Sequence, residues 1–302
     1  MEILVLADDA TDYVPLLKGV DRVTFATAVS RAPATTQVLL GQPDLAAEYL
    51  HAGAQPDWIQ STWAGVTPIL PYARRQPFQL TNIKGVFGQA IAEYLFAYLL
   101  ADVRNTEQAR IAQSTGRWQP FITGTLAHKH LVIVGAGSIG QKVASLAKAF
   151  NMRVSGISRS GAAQPNFDDL SPFPGANLGR ADYLALILPD TPETTNLINR
   201  EVLALLPDHC MLINVGRGTT LDHEALVIAL QTGKLRKAIL DVFPEEPLEP
   251  TSPLWQMPNA VVTPHIAAAS HPGEIAPVFL NNLDKYLTGQ PLDHLVDVDR
   301  GY

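Results

Sequence analysis

One cysteine stands among the 302 residues, so no disulfide can form within the chain, and nothing in it asks for an oxidising compartment. That residue, Cys210, heads an apolar run and reads as an inert core thiol. Charged residues are scarce at 17%, against 47% hydrophobic, a balance that excludes a disordered chain. Positive charge is short as well. With 22 Lys and Arg against 29 Asp and Glu the formal charge is −7, which argues against nucleic acid or an anionic membrane as the main partner. No apolar run approaches the roughly 18 residues of a membrane span. There is no repeat, coiled coil or low-complexity segment, and no metal site is expected. The opening MEILVLADDA reads as a strand, not as a charged-then-apolar leader, so the expectation is a cytoplasmic protein with two domain cores.

What the chain does have is concentrated in residues 131–160. Leu131–Val134 is an apolar run too short for a helix and reads as a buried parallel strand. Gly135, Gly137 and Gly140 then spell G-x-G-x-x-G, followed by a helical pattern to about Phe150 and a second strand, Arg153–Ile157. The first glycine allows the tight turn, the second lets backbone approach a pyrophosphate, and the third lets helix and strand pack closely. Ser138, Ile139 and Gly140 open the helix, whose free N–H groups and positive end suit phosphate. The strand–turn–helix–strand context makes this a dinucleotide-binding unit. An acidic residue is missing where an NAD site places one to hold the ribose 2′-hydroxyl. Ser158, Arg159 and Ser160 stand there instead. A guanidinium and two hydroxyls suit a 2′-phosphate, so NADP(H) is expected, with NAD(H) the weaker alternative.

Before that unit, residues 1–70 alternate short strands (Ile3–Leu6, Arg22–Phe25, Val38–Leu40, a strand near 57–60) with a helical Asp44–Tyr49, the pattern of a small parallel α/β domain. The loop STWAGVTPIL carries Ala64-Gly65, whose N–H groups can face an anion. Residues 71–88 read as irregular. One long helix is expected from Gln89 to about Ser114, apolar in its first half and polar in its second, leaving one domain for the other. After the second strand, 161–179 is loose. Strands at 182–188, 210–215, 237–243 and 260–263 follow, with Asn199 and Asp222 as helix caps and Gly233 as a helix stop. A helix at 275–287 and a tail close the chain.

In an open parallel sheet, ligands bind beyond the carboxyl ends of the strands. Three of those ends deliver Arg217, Glu246 and His265 to the edge that holds the glycine turn. The set fits hydride transfer to a 2-oxo acid. His265 can protonate the developing alkoxide, and Glu246 can orient the ring and favour its charged form. Arg217 can grip the substrate carboxylate and polarise the carbonyl. Ala64 and Gly65 can take the other carboxylate oxygen. Pro189, Val215, Gly216 and Asp241 flank the same strand ends as further candidate cofactor contacts. His128 and His130 lie at the opposite end of the first cofactor strand.

Through GAGSIGQKVASLAKAFNMRV, LPDTPETTNLIN, LINVGRG, LDVFPEEPL and TPHIAAAS, the chain resembles the D-isomer-specific 2-hydroxyacid dehydrogenase family, closest to its NADP-dependent glyoxylate/hydroxypyruvate reductases. The resemblance implies two Rossmann-like doubly wound α/β domains: a cofactor domain (98–267) inserted into a substrate domain (1–97 plus 268–302), usually in a homodimer. It matches Arg217, Glu246 and His265 to the family's Arg, Glu and His, and Ala64-Gly65 to its carboxylate-binding loop. Two positions depart from the pattern: Thr67, where many relatives have Asp, and Asp190, where an apolar residue is common. Two other functions stay open, a reductase of larger 2-oxo acids and a dinucleotide-sensing corepressor.

Overall fold

The computed structural model describes residues 1–175 and 177–301. Ala176, in the loose 161–179 stretch, and Tyr302, at the end of the tail, lie outside the described residues. The chain divides into two compact units, one made of Met1–Val86 with the chain from Ser270 on, the other of Phe87–Ala269.

The first unit is a parallel sheet of β1 (Ile3–Leu6), β2 (Val23–Ala26), β3 (Val38–Gly41), β4 (Trp58–Ser61) and β5 (Gln79–Thr81), in the order β2-β1-β3-β4-β5. β1, β3 and β4 are buried at every residue, as interior strands covered on both faces must be. Helix α1 (Pro43–His51) begins on a proline, whose missing N–H costs nothing at the first helical position. A one-turn helix, α2 (Leu70–Ala73), follows β4. Leu4, Leu39, Ile59 and Leu80 from the sheet meet Ala46 and Leu50 of α1 in the core.

The second unit begins with α3 (Gly88–Val103) and α4 (Thr106–Ser114), then alternates β6 (His130–Val134), α5 (Ser138–Ala149), β7 (Arg153–Ile157), β8 (Asp169–Ser171), β9 (Tyr183–Leu186), α6 (Arg200–Leu205), β10 (Met211–Asn214), α7 (His223–Gln231), β11 (Lys237–Leu240) and β12 (Ala260–Val262). All seven strands are parallel, in the order β12-β11-β10-β9-β6-β7-β8. This is a doubly wound sheet whose order reverses between β6 and β9, and the crevice beyond those two carboxyl ends is where such sheets bind ligands. Asn199 and Asp222 cap α6 and α7 through Val202 N and Ala225 N, and Gly233 takes the left-handed conformation just past α7. Cys210 is fully buried, and burial pushes its thiol up to about 12. The chain then returns to the first unit as α8 (Pro272–Leu287).

Several elements differ from the sequence reading. The single helix expected over 89–114 is two, broken where Asn105 adopts a left-handed φ of 50°. The apolar half buries Ile91, Leu95, Phe96 and Leu99, whereas α4 buries no residue. The polar half therefore had no core to follow and no packing to keep it straight. The units part at Val86/Phe87 and Ala269/Ser270, so all of α3 stands in the second unit, where the sequence put its beginning before the boundary. The sequence pattern puts β5 in an irregular stretch and β8 in a loose one. Both are three-residue edge strands, QLT and DLS, and pairing with a neighbour makes them strands where pattern alone could not.

The far end of α3 is clamped. Arg236 holds the Asp102 carboxylate with two bonds, at 2.7 and 3.0 Å, and the Tyr183 hydroxyl adds a third at 3.2 Å. Asp102 is 12% exposed, but Arg236 is 42% exposed, so solvent screens part of the pair. Asp102→Ala is expected to cost about 1–2 kcal/mol in urea denaturation, below the roughly 3–5 of a fully buried pair.

Candidate active site

The turn after β6 is tight because glycine lets it be. Gly135 sits at φ 111°, and a side chain there would strike the Ile187 carbonyl; at Gly140 it would strike the Gly135 carbonyl. At Gly137 a Cβ would meet nothing within 4 Å. The space beside it is open at the N-terminus of α5, where Ser138, Ile139 and Gly140 present first-turn N–H groups. This is a cradle of the shape and polarity a pyrophosphate needs.

At the end of β7, Ser158 N donates to Ser171 O, and the Ser158 and Ser160 hydroxyls accept from Gly161 N and Ala162 N. Both hydroxyls keep a hydrogen to give. Arg159 is exposed, and its charge is one of the influences holding the Glu193 carboxyl below its ordinary value, after that residue's own backbone N–H and Thr191.

Beyond β9 and β10, two loops are knitted together. Asn214, fully buried, donates to Arg217 O and accepts from Gly216 N. Val215 N donates to Leu186 O, and Pro189 O accepts from Thr194. Asp190 accepts from Thr219 at 2.7 Å. The Arg217 guanidinium donates to Gly216 O. Burial works against its charge, while Asp190 and Glu246 favour it, and the net displacement is downward.

His265 and Glu246 are brought into direct contact. The carboxylate Oε2 lies 2.8 Å from His265 Nδ1, and Oε1 accepts from Phe243 N at 2.9 Å. A carboxylate only accepts, so the ring carries its proton on Nδ1 and leaves Nε2 for a ligand. Burial resists ionisation of Glu246, but the bonds from His265 and Phe243, with the charges of His265 and Arg217, outweigh it and hold its carboxyl below its ordinary value. His265 itself has a left-handed φ of 54°, a conformation that needs outside support in a residue with a side chain. Asp241 gives that support. Its backbone carbonyl accepts from His265 N, and its carboxylate, 1% exposed, accepts from the Thr263 hydroxyl and from Ile266 and Ala267 N.

In the first unit, the Ala64 carbonyl accepts from the Asn82 amide, Trp63 N donates to the Ser61 hydroxyl, and Ile83 N donates to Trp63 O. Among the described residues nothing accepts from the Ala64 or Gly65 N–H. The sequence singled out the turn but missed Asn82, as it missed Asn214 and Thr263. A lone polar residue carries no signal until its partner is in view. His130 lies at the amino end of β6, bonded to Ser155 at 2.6 Å and away from this edge.

Residues 96–267 match the family model described as D-isomer specific 2-hydroxyacid dehydrogenase, NAD binding domain. The chain belongs to the D-isomer-specific 2-hydroxyacid dehydrogenase family. A member from Aeromonas salmonicida is 37% identical over 99% of both chains, with a TM-score of 0.92. One from Xanthobacter autotrophicus, solved with NADPH and MES, is 27% identical over 100% of this chain and 99% of its own, TM-score 0.84. The NADPH-dependent glyoxylate/hydroxypyruvate reductase of Sinorhizobium meliloti, solved with NADP and sulfate, is 25% identical over 100% of both, TM-score 0.88. Family membership makes a nicotinamide dinucleotide the group to test at this edge, and the open cradle at Gly137 beside three first-turn N–H groups fits its pyrophosphate. Among the described residues no cluster of side chains could hold a metal ion, and no helix is long and apolar enough to cross a membrane.

Proposed function

We propose that this protein reduces small 2-oxo acids of the glyoxylate and hydroxypyruvate class to D-2-hydroxy acids, with NADPH as the preferred cofactor. One observation carries the reading: the His265–Glu246 pair, 2.8 Å apart, stands at the carboxyl ends of the sheet that also bears the Gly135–Gly140 turn. NADPH supplies the hydride when bound. Gly135, Gly137, Ser138, Ile139 and Gly140 would hold its pyrophosphate, Ser158, Arg159 and Ser160 its 2′-phosphate, and Pro189, Val215 and Gly216 the remainder. His265 Nε2 delivers the proton that the carbonyl oxygen needs as it becomes a hydroxyl, and Glu246 keeps the ring in the right tautomer and balances its charge. Arg217 grips the substrate carboxylate and stabilises charge on the developing alkoxide. The N–H groups of Ala64 and Gly65, which meet no acceptor among the described residues, form a second anion-binding turn.

Arg217→Lys keeps the charge but not the planar fork. It is expected to lower kcat/KM for glyoxylate about tenfold, through both kcat and KM, the loss of roughly one charge-assisted hydrogen bond. Equal kinetics would make Arg217 a distant charge only.

NADPH oxidation across a series of 2-oxo acids of increasing side-chain size tests the substrate class. Glyoxylate and hydroxypyruvate are expected to give the highest kcat/KM. A maximum at large side chains would move the assignment to reductases of larger 2-oxo acids, and tight NADPH binding without turnover would favour a dinucleotide-sensing corepressor. A cytoplasmic homodimer belongs to the same reading. Trp118 and Ile122 are 97% and 95% exposed beside the unburied α4, an apolar arm that a second copy would cover. Sedimentation of the parent protein should give a dimer.

A further inference from the structure

We propose that Tyr94 is a positioning residue for His265: its hydroxyl, acting through Thr263 and the carboxylate of Asp241, holds the turn that carries the candidate proton donor. Tyr94 lies on α3, far in sequence from that turn, and nothing in the glycine motif or the strand ends points to it.

The chain of contacts is short and directional. The Tyr94 hydroxyl lies 2.6 Å from Thr263 Oγ1, and Thr263 Oγ1 lies 2.6 Å from Asp241 Oδ1. A carboxylate only accepts, so the single hydroxyl hydrogen of Thr263 goes to Asp241. Thr263 must then accept from Tyr94, and the relay runs Tyr94 to Thr263 to Asp241 with no freedom to reverse. Each donor polarises the next, so the two bonds support one another. Asp241 is almost wholly buried and spends its carboxylate on Thr263, Ile266 N and Ala267 N, while its own carbonyl takes His265 N. Those bonds bracket His265 on both sides and hold it at the left-handed φ of 54°, which aims its ring at Glu246. Tyr94 is itself fixed by an edge-to-face contact with Tyr98, ring centres 4.9 Å apart. Burial also keeps its proton in place, holding the phenol well above its ordinary value, so it remains a donor throughout the working range.

The effect on turnover depends on the reductase reading above; the effect on the turn does not. Tyr94→Phe keeps the ring and removes only the hydroxyl. It is expected to lower kcat about tenfold with KM for the 2-oxo acid within about twofold, the split that marks an interaction needed for the chemical step and not for binding. Amide hydrogen exchange at Ile266 and Ala267 should quicken about tenfold, as expected of a locally loosened turn, while exchange in α5 stays at the parent rate. Because one relay is involved, Tyr94→Phe added to Thr263→Val should cost no more than Thr263→Val alone, within about twofold. Parent-like kcat and parent-like exchange in Tyr94→Phe, or effects that multiply in the double variant, would overturn the proposal. If the parent protein reduces no 2-oxo acid but the two amides still exchange faster in Tyr94→Phe, the positioning role stands and the reductase reading fails.

Discussion

Replacing His265 with alanine is expected to lower kcat by about 10²–10⁴-fold, the usual worth of a general acid, with the dissociation constant for NADPH within about twofold of the parent. The separation follows from where the residue sits. Its side chain is 46% exposed and pairs with Glu246, so the change leaves no core cavity. Among the described residues no hydrogen bond links it to the glycine turn. The neighbouring turn is held by Asp241 through backbone bonds that survive the loss of the ring. Single-turnover kinetics beside fluorescence titration with NADPH make the check. Turnover near the parent rate would remove His265 from the mechanism. A matching loss of NADPH affinity would instead make it part of the cofactor site.

Cofactor choice should also be large. The parent protein is expected to prefer NADPH over NADH by at least about tenfold in kcat/KM, within the roughly 10- to 150-fold that one charge-assisted phosphate contact can give. The hydroxyls of Ser158 and Ser160 accept from backbone and keep their hydrogens for a phosphate oxygen, and Arg159 stands exposed between them. Ser158→Asp with Arg159→Ala should reverse the ratio. A carboxylate at 158 can accept from the ribose hydroxyls of NADH and repels the 2′-phosphate of NADPH. Steady-state kinetics with both cofactors, on parent and double variant, decide it, and equal use of NADH by the parent would sink the assignment.

The parts of the fold that could be read from sequence were those in which one residue type has one physical job. Gly135 and Gly140 lie where any side chain would strike a carbonyl, and the apolar runs of β6, β9 and β10 are buried at every position. Asn199 and Asp222 accept the N–H groups that a helix start leaves free. The edge strands QLT and DLS were hidden because their pairing partners, β4 and β7, make them strands. The break at Asn105 was hidden because helical periodicity does not register a single left-handed residue. In the candidate site, His265 and Glu246 stand out in the sequence as residues following strand ends, and the structure sets them 2.8 Å apart. The support beneath them was not visible. Asp241 is a candidate cofactor contact by sequence, yet its carboxylate is already bonded to Thr263, Ile266 and Ala267. Tyr94 reaches the same cluster from a helix 169 residues away. Such links are set by tertiary approach and leave no spacing to detect.

The most direct measurement follows the hydride itself. NADPH deuterated at the transferable position is incubated with the parent protein and hydroxypyruvate, and the glycerate formed is analysed for label and configuration. The expected result is deuterium on C2 of D-glycerate, formed in step with NADPH oxidation. Bound but unoxidised NADPH, or product without the label, would contradict it.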